Sequence, residues 1–381
     1  MPLSYNIGEQ SPMSLPFKIR VISTLYRSIL KPILFKRDPE NVHDTMMRIG
    51  STLGHHRITQ FITHTLFFFE HPVLEQTVAG IHFRNPIGLA AGFDKNAQLT
   101  NILPDVGFGF EEIGSVTGEP CSGNARPRLW RLPEEKSLRV YYGLKNDGAE
   151  NIAKRLRLSR LHEEGAGGWS VPIGISIAKT NCAATAETPA AIVDYVKAYL
   201  AFEEIGDYVT INISCPNAFG GQPFTDAARL DQLLSAIDAV RDVRPIFLKL
   251  SPDLSETELH ALAEVALAHH VDGLITSNLT KQHAHGDGGL SGKAVEAQSI
   301  AHLTYLRKTF GNKFILIACG GVFSAEDAYK RIRLGASLIQ LITGMIFEGP
   351  QLIGEINRGL VELLKRDGFE FITDIIGIDV K

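Results

Sequence analysis

The residues best suited to chemistry are scattered along the chain, and each stands near the end of a short apolar run. Lys95 lies in "LAAGFDKN" and Lys249 in "FLKLSPD". A buried ammonium is costly unless negative charge matches it, so each lysine should either face a bound anion at the mouth of a domain or pair with a neighbour, Asp94 or Asp253. The run "INISCPNAFGG" brings Asn212, Cys215 and Asn217 together. A cysteine can remove a proton or attack carbon when nearby cations lower its pKa from about 8.5, and two amides can fix the carbonyls and N–H groups of a ring. A plain Ser-Cys-Pro-Asn turn is the alternative. Ser277-Asn278 offers a further amide, and "GGLSG" at 288–292 is a segment that another group can approach closely.

Two glycine turns suggest where an anion sits. Gly320-Gly321 follows one apolar run and Thr343-Gly344 the next. Bare backbone N–H groups at such turns can hold a phosphate, although a tight turn needs glycine too. A resident metal is not expected. The cysteines Cys121, Cys182, Cys215 and Cys319 are widely spaced, and the histidines are read as forming no HExxH or HxH cluster. A disulfide framework is excluded by the same spacing, which leaves a reducing compartment as the default.

These groups must be positioned by a fold, and the chain alternates. Apolar, β-rich runs at 87–91, 109–113, 171–177, 209–213, 246–250, 273–276, 314–318 and 337–342 are each followed by a helical pattern, at 97–106, 148–158, 189–202, 227–241, 256–269, 296–310, 325–334 and 352–365. Such strand-then-helix units predict an α/β fold, a (β/α)8 TIM barrel, because each helix supplies the crossover that parallel neighbours need. A doubly wound sheet is the weaker alternative: polar residues follow many different strands, and no GxGxxG turn follows the first. Residues 74–83 read as a small hairpin closing the barrel bottom, and 118–128 and 219–224 as rim loops.

The expected division is an N-terminal amphipathic helical domain over 1–56 and the barrel over 70–381. Between Phe17 and Arg37 lie six basic residues and no acidic one. Phe17, Val21, Leu25 and Ile29 form an apolar stripe until Pro32 disturbs the helix. Asp38-Pro39 then reads as the cap and first turn of a second helix, with Val42, Met46, Ile49 and Leu53 on one face. This two-helix front end either lies on an anionic membrane surface, admitting a lipid-soluble molecule, or packs on its own domain. No stretch reaches the roughly 18 to 20 apolar residues of a membrane span.

With 44% hydrophobic and 21% charged residues over 381 positions, the chain can bury a large core. Its 38 Lys+Arg against 42 Asp+Glu give no nucleic-acid footprint, so none is expected as a partner.

The stretches "NPIGLAAGFDKN", "EEIGSVT", "GNARPRLWRLPEE", "NISCPN", "LKLSPDLS", "GGLSG" and "GMIFEGP", in this order, resemble dihydroorotate dehydrogenase, and within it the membrane-associated, quinone-dependent second class. The resemblance runs from the basic front helices to "LLKRDGF" near the end. It implies FMN-dependent oxidation of (S)-dihydroorotate to orotate, in pyrimidine biosynthesis, with a membrane quinone as electron acceptor. It also implies a peripheral place on a bacterial inner membrane's cytoplasmic face, or on the mitochondrial inner membrane of a eukaryote. By the same resemblance Gly320, Gly321, Thr343 and Gly344 hold the FMN phosphate, and Ala91, Gly92, Ser115, Asn212, Lys249, Ser277 and Gly292 surround the ring and ribityl chain. Lys249 would offset charge on the reduced ring. Lys95 would meet the substrate carboxylate, Asn212, Asn217 and Asn278 the pyrimidine, and Cys215 would be the base. Arg131 matches an arginine at the inner end of a quinone tunnel.

Departures cluster at the substrate. Where the second class reads Asn-Arg-(Tyr or Met)-Gly-Phe-Asn, this chain reads Val140-Tyr141-Tyr142-Gly143-Leu144-Lys145. Valine cannot make the hydrogen bonds of the first asparagine. Ser176, Ala178, Leu279 and Glu119 also differ from the pattern, and Cys215 is the choice of the family's first class where serine is usual. The alternative reading is therefore an FMN oxidoreductase on the same scaffold with a different small carboxylated substrate.

Overall fold

The computed structural model describes residues 17–163 and 170–380. An antiparallel hairpin, β1 (Gln76–Val78) and β2 (Ile81–Phe83), precedes the barrel. The barrel strands are β3 (Ile87–Leu89), β4 (Phe110–Val116), β7 (Ile173–Ile177), β8 (Tyr208–Asn212), β9 (Ile246–Lys249), β10 (Gly273–Thr276), β12 (Ile315–Cys319) and β13 (Leu338–Leu341). All neighbours are parallel and the sheet closes on itself in chain order, β13 pairing with β3. The expected strands are thus found within a residue or two of the expected bounds, except that β4 runs three residues further, to Val116, and the doubly wound alternative is overturned by closure. Outside the barrel, β5 (Leu129–Leu132), β6 (Ser137–Val140) and β11 (Gly289–Gly292) form a three-stranded antiparallel sheet that was not foreseen.

One expected helix is largely missing. In place of 97–106 only Leu103–Val106 is helical. The buried Asp94 carboxylate accepts the backbone N–H groups of Asn96, Gln98 and Leu99, which curls the chain before a helix can start. The other helices follow the expectation, and a short extra one, Thr343–Glu348, precedes Leu352–Asp367.

The barrel lumen is layered. At its base Phe83, Phe110, Tyr208, Phe247, Ile275, Ile317 and Leu338 pack as one apolar cluster. Glycines make room for the rings: a Cβ on Gly88 would lie 2.3 Å from the Phe110 ring, one on Gly174 2.1 Å from Tyr208, and one on Gly273 2.6 Å from Phe247. Two residues further along four of these strands comes a polar layer of Glu112, Thr210, Lys249 and Gln340, all buried. Apart from Lys249, the candidate site residues lie beyond it, towards the carboxyl ends of the strands, where barrel enzymes place their sites.

Helix α1 (Phe17–Leu25) runs through a wide turn, Tyr26–Leu30, into α2 (Lys31–Phe35). Pro32 has no N–H to give, and the widened turn just before it, with Lys31 N–H bonded to the Tyr26 carbonyl, absorbs the misfit so that the helix continues. Asp38 caps α3 (Pro39–Gly54) by accepting the Asn41 N–H at 2.8 Å. A further helix, α4 (Arg57–Phe67), lies between the two expected domains. Among the described residues no helix is long and apolar enough to cross a membrane.

Candidate functional site

The strand ends open onto a cleft of about 900 Å³. Its wall is built from Ala91, Gly92 and Lys95 after β3, Lys249 at the end of β9, and Ser277, Asn278 and Leu279 after β10. Gly292, Gly320, Gly321, Thr343 and Gly344 complete it. Of the residues expected around a flavin, Ser115 and Asn212 stay off this wall. Asn212 Nδ2 donates to Ser115 Oγ at 2.7 Å, and Ser176 Oγ lies 2.8 Å from the same hydroxyl. Ser176, one of the departures, thus helps hold Asn212 through Ser115.

The residues on the wall fit a planar anionic ligand. Ser277 carries a buried hydroxyl with no hydrogen-bond partner. Gly344 has no room for a side chain, since a Cβ would lie 2.1 Å from the Val322 carbonyl, so its backbone stays bare. Gly320 and Gly321 both have positive φ, at 103° and 73°. Lys249 supplies a cation at the cleft floor. Its ion-pair partner is Glu112, with Nζ 3.7 Å from Oε1. The expected alternative of Asp253 is overturned: that carboxylate accepts the Thr280 hydroxyl and the Lys281 N–H.

Lys95 does not pair with Asp94, whose carboxylate is taken up by backbone. Its ammonium lies 4.2 Å from the ring centroid of Tyr142. Burial pushes the Lys95 pKa down to about 8, Lys145 adding to the effect. Lys145 itself reaches Glu40 of α3 at 3.8 Å, in company with Arg126 and Arg128. Those guanidiniums outweigh burial, which acts the other way, and hold the Glu40 carboxyl below its ordinary value.

The amides are tied to the framework. Asn217 Nδ2 donates to the Val140 carbonyl at 2.8 Å, which leaves its buried Oδ1 without a partner. Asn278 Nδ2 donates to the Ser214 carbonyl and hydroxyl, both at 3.1 Å. Cys215 and Asn212 line a separate, smaller cavity with Leu144, Ala178, Lys179 and Phe224. Burial raises the Cys215 thiol to about 11, against the pull of the Asn217 N–H and of Lys179. The lowering by cations that the sequence led us to expect is therefore outweighed.

A second, apolar cavity is enclosed by α2, α3, α4 and the barrel rim. Val42, Met46, Ile49 and Leu53, the face expected from periodicity, line it together with Tyr26, Phe35 and Arg131. Arg131 donates to the Arg37 carbonyl at 2.8 Å and lies 4.7 Å from the Phe35 ring centroid. Burial raises the Tyr26 phenol to about 12, and its hydroxyl donates to the Ile346 carbonyl at 2.7 Å. His43, Phe93, Leu129, Leu138 and Ile346 belong to both cavities, so the two share one wall. Burial, with Lys95 second, lowers the His43 pKa to about 4, so the ring is neutral near pH 7. Its Nε2 donates to the Phe93 carbonyl at 3.0 Å.

His43, Phe93 and Tyr142 were not singled out from the sequence. The adjacency of His43 to the Val42 face was the available signal. Val140 and Leu279, noted there as departures, both line the cleft. His283 and His285 form an HxH pair overlooked in the sequence, but His285 pairs with Glu135 at 3.0 Å, and among the described residues no three His, Cys, Asp or Glu side chains could hold a metal.

Comparison with known proteins gives a consistent result. The model of the family "Dihydroorotate dehydrogenase" matches residues 73–364. A relative from Nitratiruptor sp., "Dihydroorotate dehydrogenase (quinone)", is 38% identical over 367 residues, covering 93% of this chain and 99% of its own. One of the same name from Halobacterium salinarum is 35% identical over 365 residues, covering 92% and 99%. Among solved structures, DHODH from Eimeria tenella in complex with ferulenol superposes with a TM-score of 0.81 at 29% identity, over 90% of this chain and 96% of that one. Its ligand-free form gives 0.82 at 29% identity over 90% and 100%.

Proposed function

The chain belongs to the dihydroorotate dehydrogenase family, in its quinone-dependent branch, and as an oxidoreductase of that family we propose that it oxidises dihydroorotate to orotate with FMN and passes the electrons to a membrane quinone. The observation that carries this reading is the shared wall: a cleft floored by Lys249 and carrying Lys95, Ser277 and Asn278 abuts an apolar cavity, with His43, Phe93, Leu129, Leu138 and Ile346 common to both. One cavity suits a charged heterocycle and the other a lipid-soluble acceptor. FMN, when bound, supplies the two-electron chemistry that links them.

The chain's own residues perform the rest. Gly320, Gly321, Thr343 and Gly344 would hold the phosphate, with Ala91, Gly92, Ser277 and Gly292 around the ring system. Ser115 and Asn212 support that shell through their mutual hydrogen bond. Lys95 binds the substrate carboxylate, and the unpartnered Oδ1 of Asn217 is an acceptor for a ring N–H. Asn278 orients the ring beside it. Cys215 Sγ takes the proton from the carbon α to the substrate carbonyl, which requires the thiolate. Because burial opposes that ionisation, the thiolate is a minor species near neutral pH.

Membrane contact belongs to the same proposal. Phe17, Ile58 and Phe61 are 75%, 75% and 70% exposed, on α1 and α4, which supports a peripheral position on a quinone-bearing membrane. Arg131 and Tyr26, with His43 and Thr63, supply the polar groups of the quinone cavity.

A second reading is favoured by Val140 and Leu279, whose apolar side chains line the cleft where an amide and a hydroxyl are usual: a carboxylated ring less polar than dihydroorotate. One experiment separates the two. FMN-loaded protein is mixed with dihydroorotate without oxygen, and the flavin absorbance should bleach. Persistent colour, with no orotate binding, overturns the first reading, and bleaching by another carboxylated ring then establishes the second.

A further inference from the structure

The polar layer inside the barrel places a carboxylate and an ammonium in the core. Burying a carboxylate and an ammonium costs more than apolar side chains of the same volume would, so their presence asks for a reason. Glu112 on β4 and Lys249 on β9 meet across the lumen, Nζ 3.7 Å from Oε1, both almost wholly buried. The two oxygens of Glu112 differ. Oε2 accepts the Thr210 hydroxyl at 2.9 Å, the Gln340 amide at 2.8 Å and, more weakly, the Tyr208 hydroxyl at 3.5 Å. Oε1 is buried and has no hydrogen bond. Three donors thus clamp the carboxylate from one side and turn its free oxygen toward the ammonium. Lys249 in turn lines the cleft, while Glu112 does not.

Resting on the reading that FMN occupies this cleft, we propose that Glu112 is a positioning residue that sets the flavin's reduction potential through Lys249. The carboxylate anchors the ammonium below the cleft and neutralises part of the positive field that Lys249 presents to it. Reduction adds negative charge to the ligand, so a less neutralised lysine favours the reduced form. Thr210 and Gln340 keep the carboxylate's aim fixed.

The test compares wild-type protein, Glu112→Asp and Glu112→Gln as FMN-loaded proteins, by dye-equilibrated reductive titration. The reduction equilibrium of E112Q should shift about tenfold toward the reduced form, about 30 mV upward for a two-electron couple. E112D keeps the charge but withdraws it by one methylene, and its potential should fall between the other two. If E112Q does not fold, the rise in E112D alone carries the test. Equal potentials in variants that bind FMN normally, or a downward shift, overturn the proposal. Wild-type protein that binds no FMN would instead overturn the reading beneath it, so the two failures are distinct.

Discussion

Arg128 grips Glu40 with two nitrogens: Nε lies 3.1 Å from both carboxylate oxygens and Nη2 2.8 Å from Oε1. The pair joins α3 to the loop before β5, and Arg126 adds a contact at 2.9 Å. Both partners are buried, so removing one strands the other's charge. Glu40→Ala should cost about 3–5 kcal/mol in urea unfolding. The folded carboxyl has the lower pKa, so its contribution is present above the unfolded value and fades as pH falls through the folded one. The stability gap between wild type and E40A should therefore narrow in acid.

The pH dependence of catalysis should carry the marks of Lys95 and Cys215. The reaction needs a charged ammonium at Lys95, with pKa about 8, and a thiolate at Cys215, with pKa about 11. For free enzyme kcat/KM should climb about tenfold per pH unit at first and level off once Lys95 begins to lose its proton. A carboxylate on Lys95 raises that pKa, so kcat should keep climbing beyond the point where kcat/KM levels. A profile flat from the acid side would remove Cys215 from the role of base.

Substrate affinity should answer to the cleft wall. Val140→Asn with Leu279→Thr returns a donor, an acceptor and a hydroxyl to positions that line the cleft. Orotate binding, followed by flavin absorbance, should tighten about 5- to 150-fold, the equivalent of about 1–3 kcal/mol for a buried group regaining its partner. Unchanged affinity would mean that the cleft no longer takes this ring.

Vesicle binding should depend on α4 as well as α1. Burying a phenylalanine or isoleucine contributes about 1.5–3 kcal/mol, so Ile58→Glu and Phe61→Glu should each weaken cosedimentation with anionic vesicles by about tenfold or more. Flavin reduction by substrate, which does not use this face, should be unaffected.

Glu111, beside Glu112 in sequence, makes a different prediction. Its carboxyl is buried beside that of Asp94, and burial, with Asp94 second, pushes its pKa well up. A carboxyl held protonated in the fold costs stability as pH rises above its unfolded value. Glu111→Gln should thus melt higher than wild type, by a margin that grows as pH rises above the ordinary glutamate value of about 4.3.

Much of this was legible in the sequence, for reasons that can be named. Barrel strands are short apolar runs bounded by polar residues, and crossover helices separate them, so period and order sufficed. Val42, Met46, Ile49 and Leu53 showed their common face in the same way. The sheet of β5, β6 and β11 was hidden because its strands are four residues each, and β11 comes from a segment far along the chain. The lost helix at 97–106 turned on one carboxylate, Asp94, whose hydrogen bonds to backbone no periodicity records. Partners across the lumen were equally out of reach: Lys249 finds Glu112, far off in sequence, rather than the nearby Asp253. The thiol of Cys215 was misjudged in degree because burial depends on what the rest of the chain stacks around it.

The rings seated over Gly88, Gly174 and Gly273 stopper the barrel at its base, making the lumen a one-ended vessel. Water has no axial route to the cleft from below. Every molecule admitted or discharged must therefore pass the rim, where Arg126 and Arg128 hold Glu40 and with it the third helix.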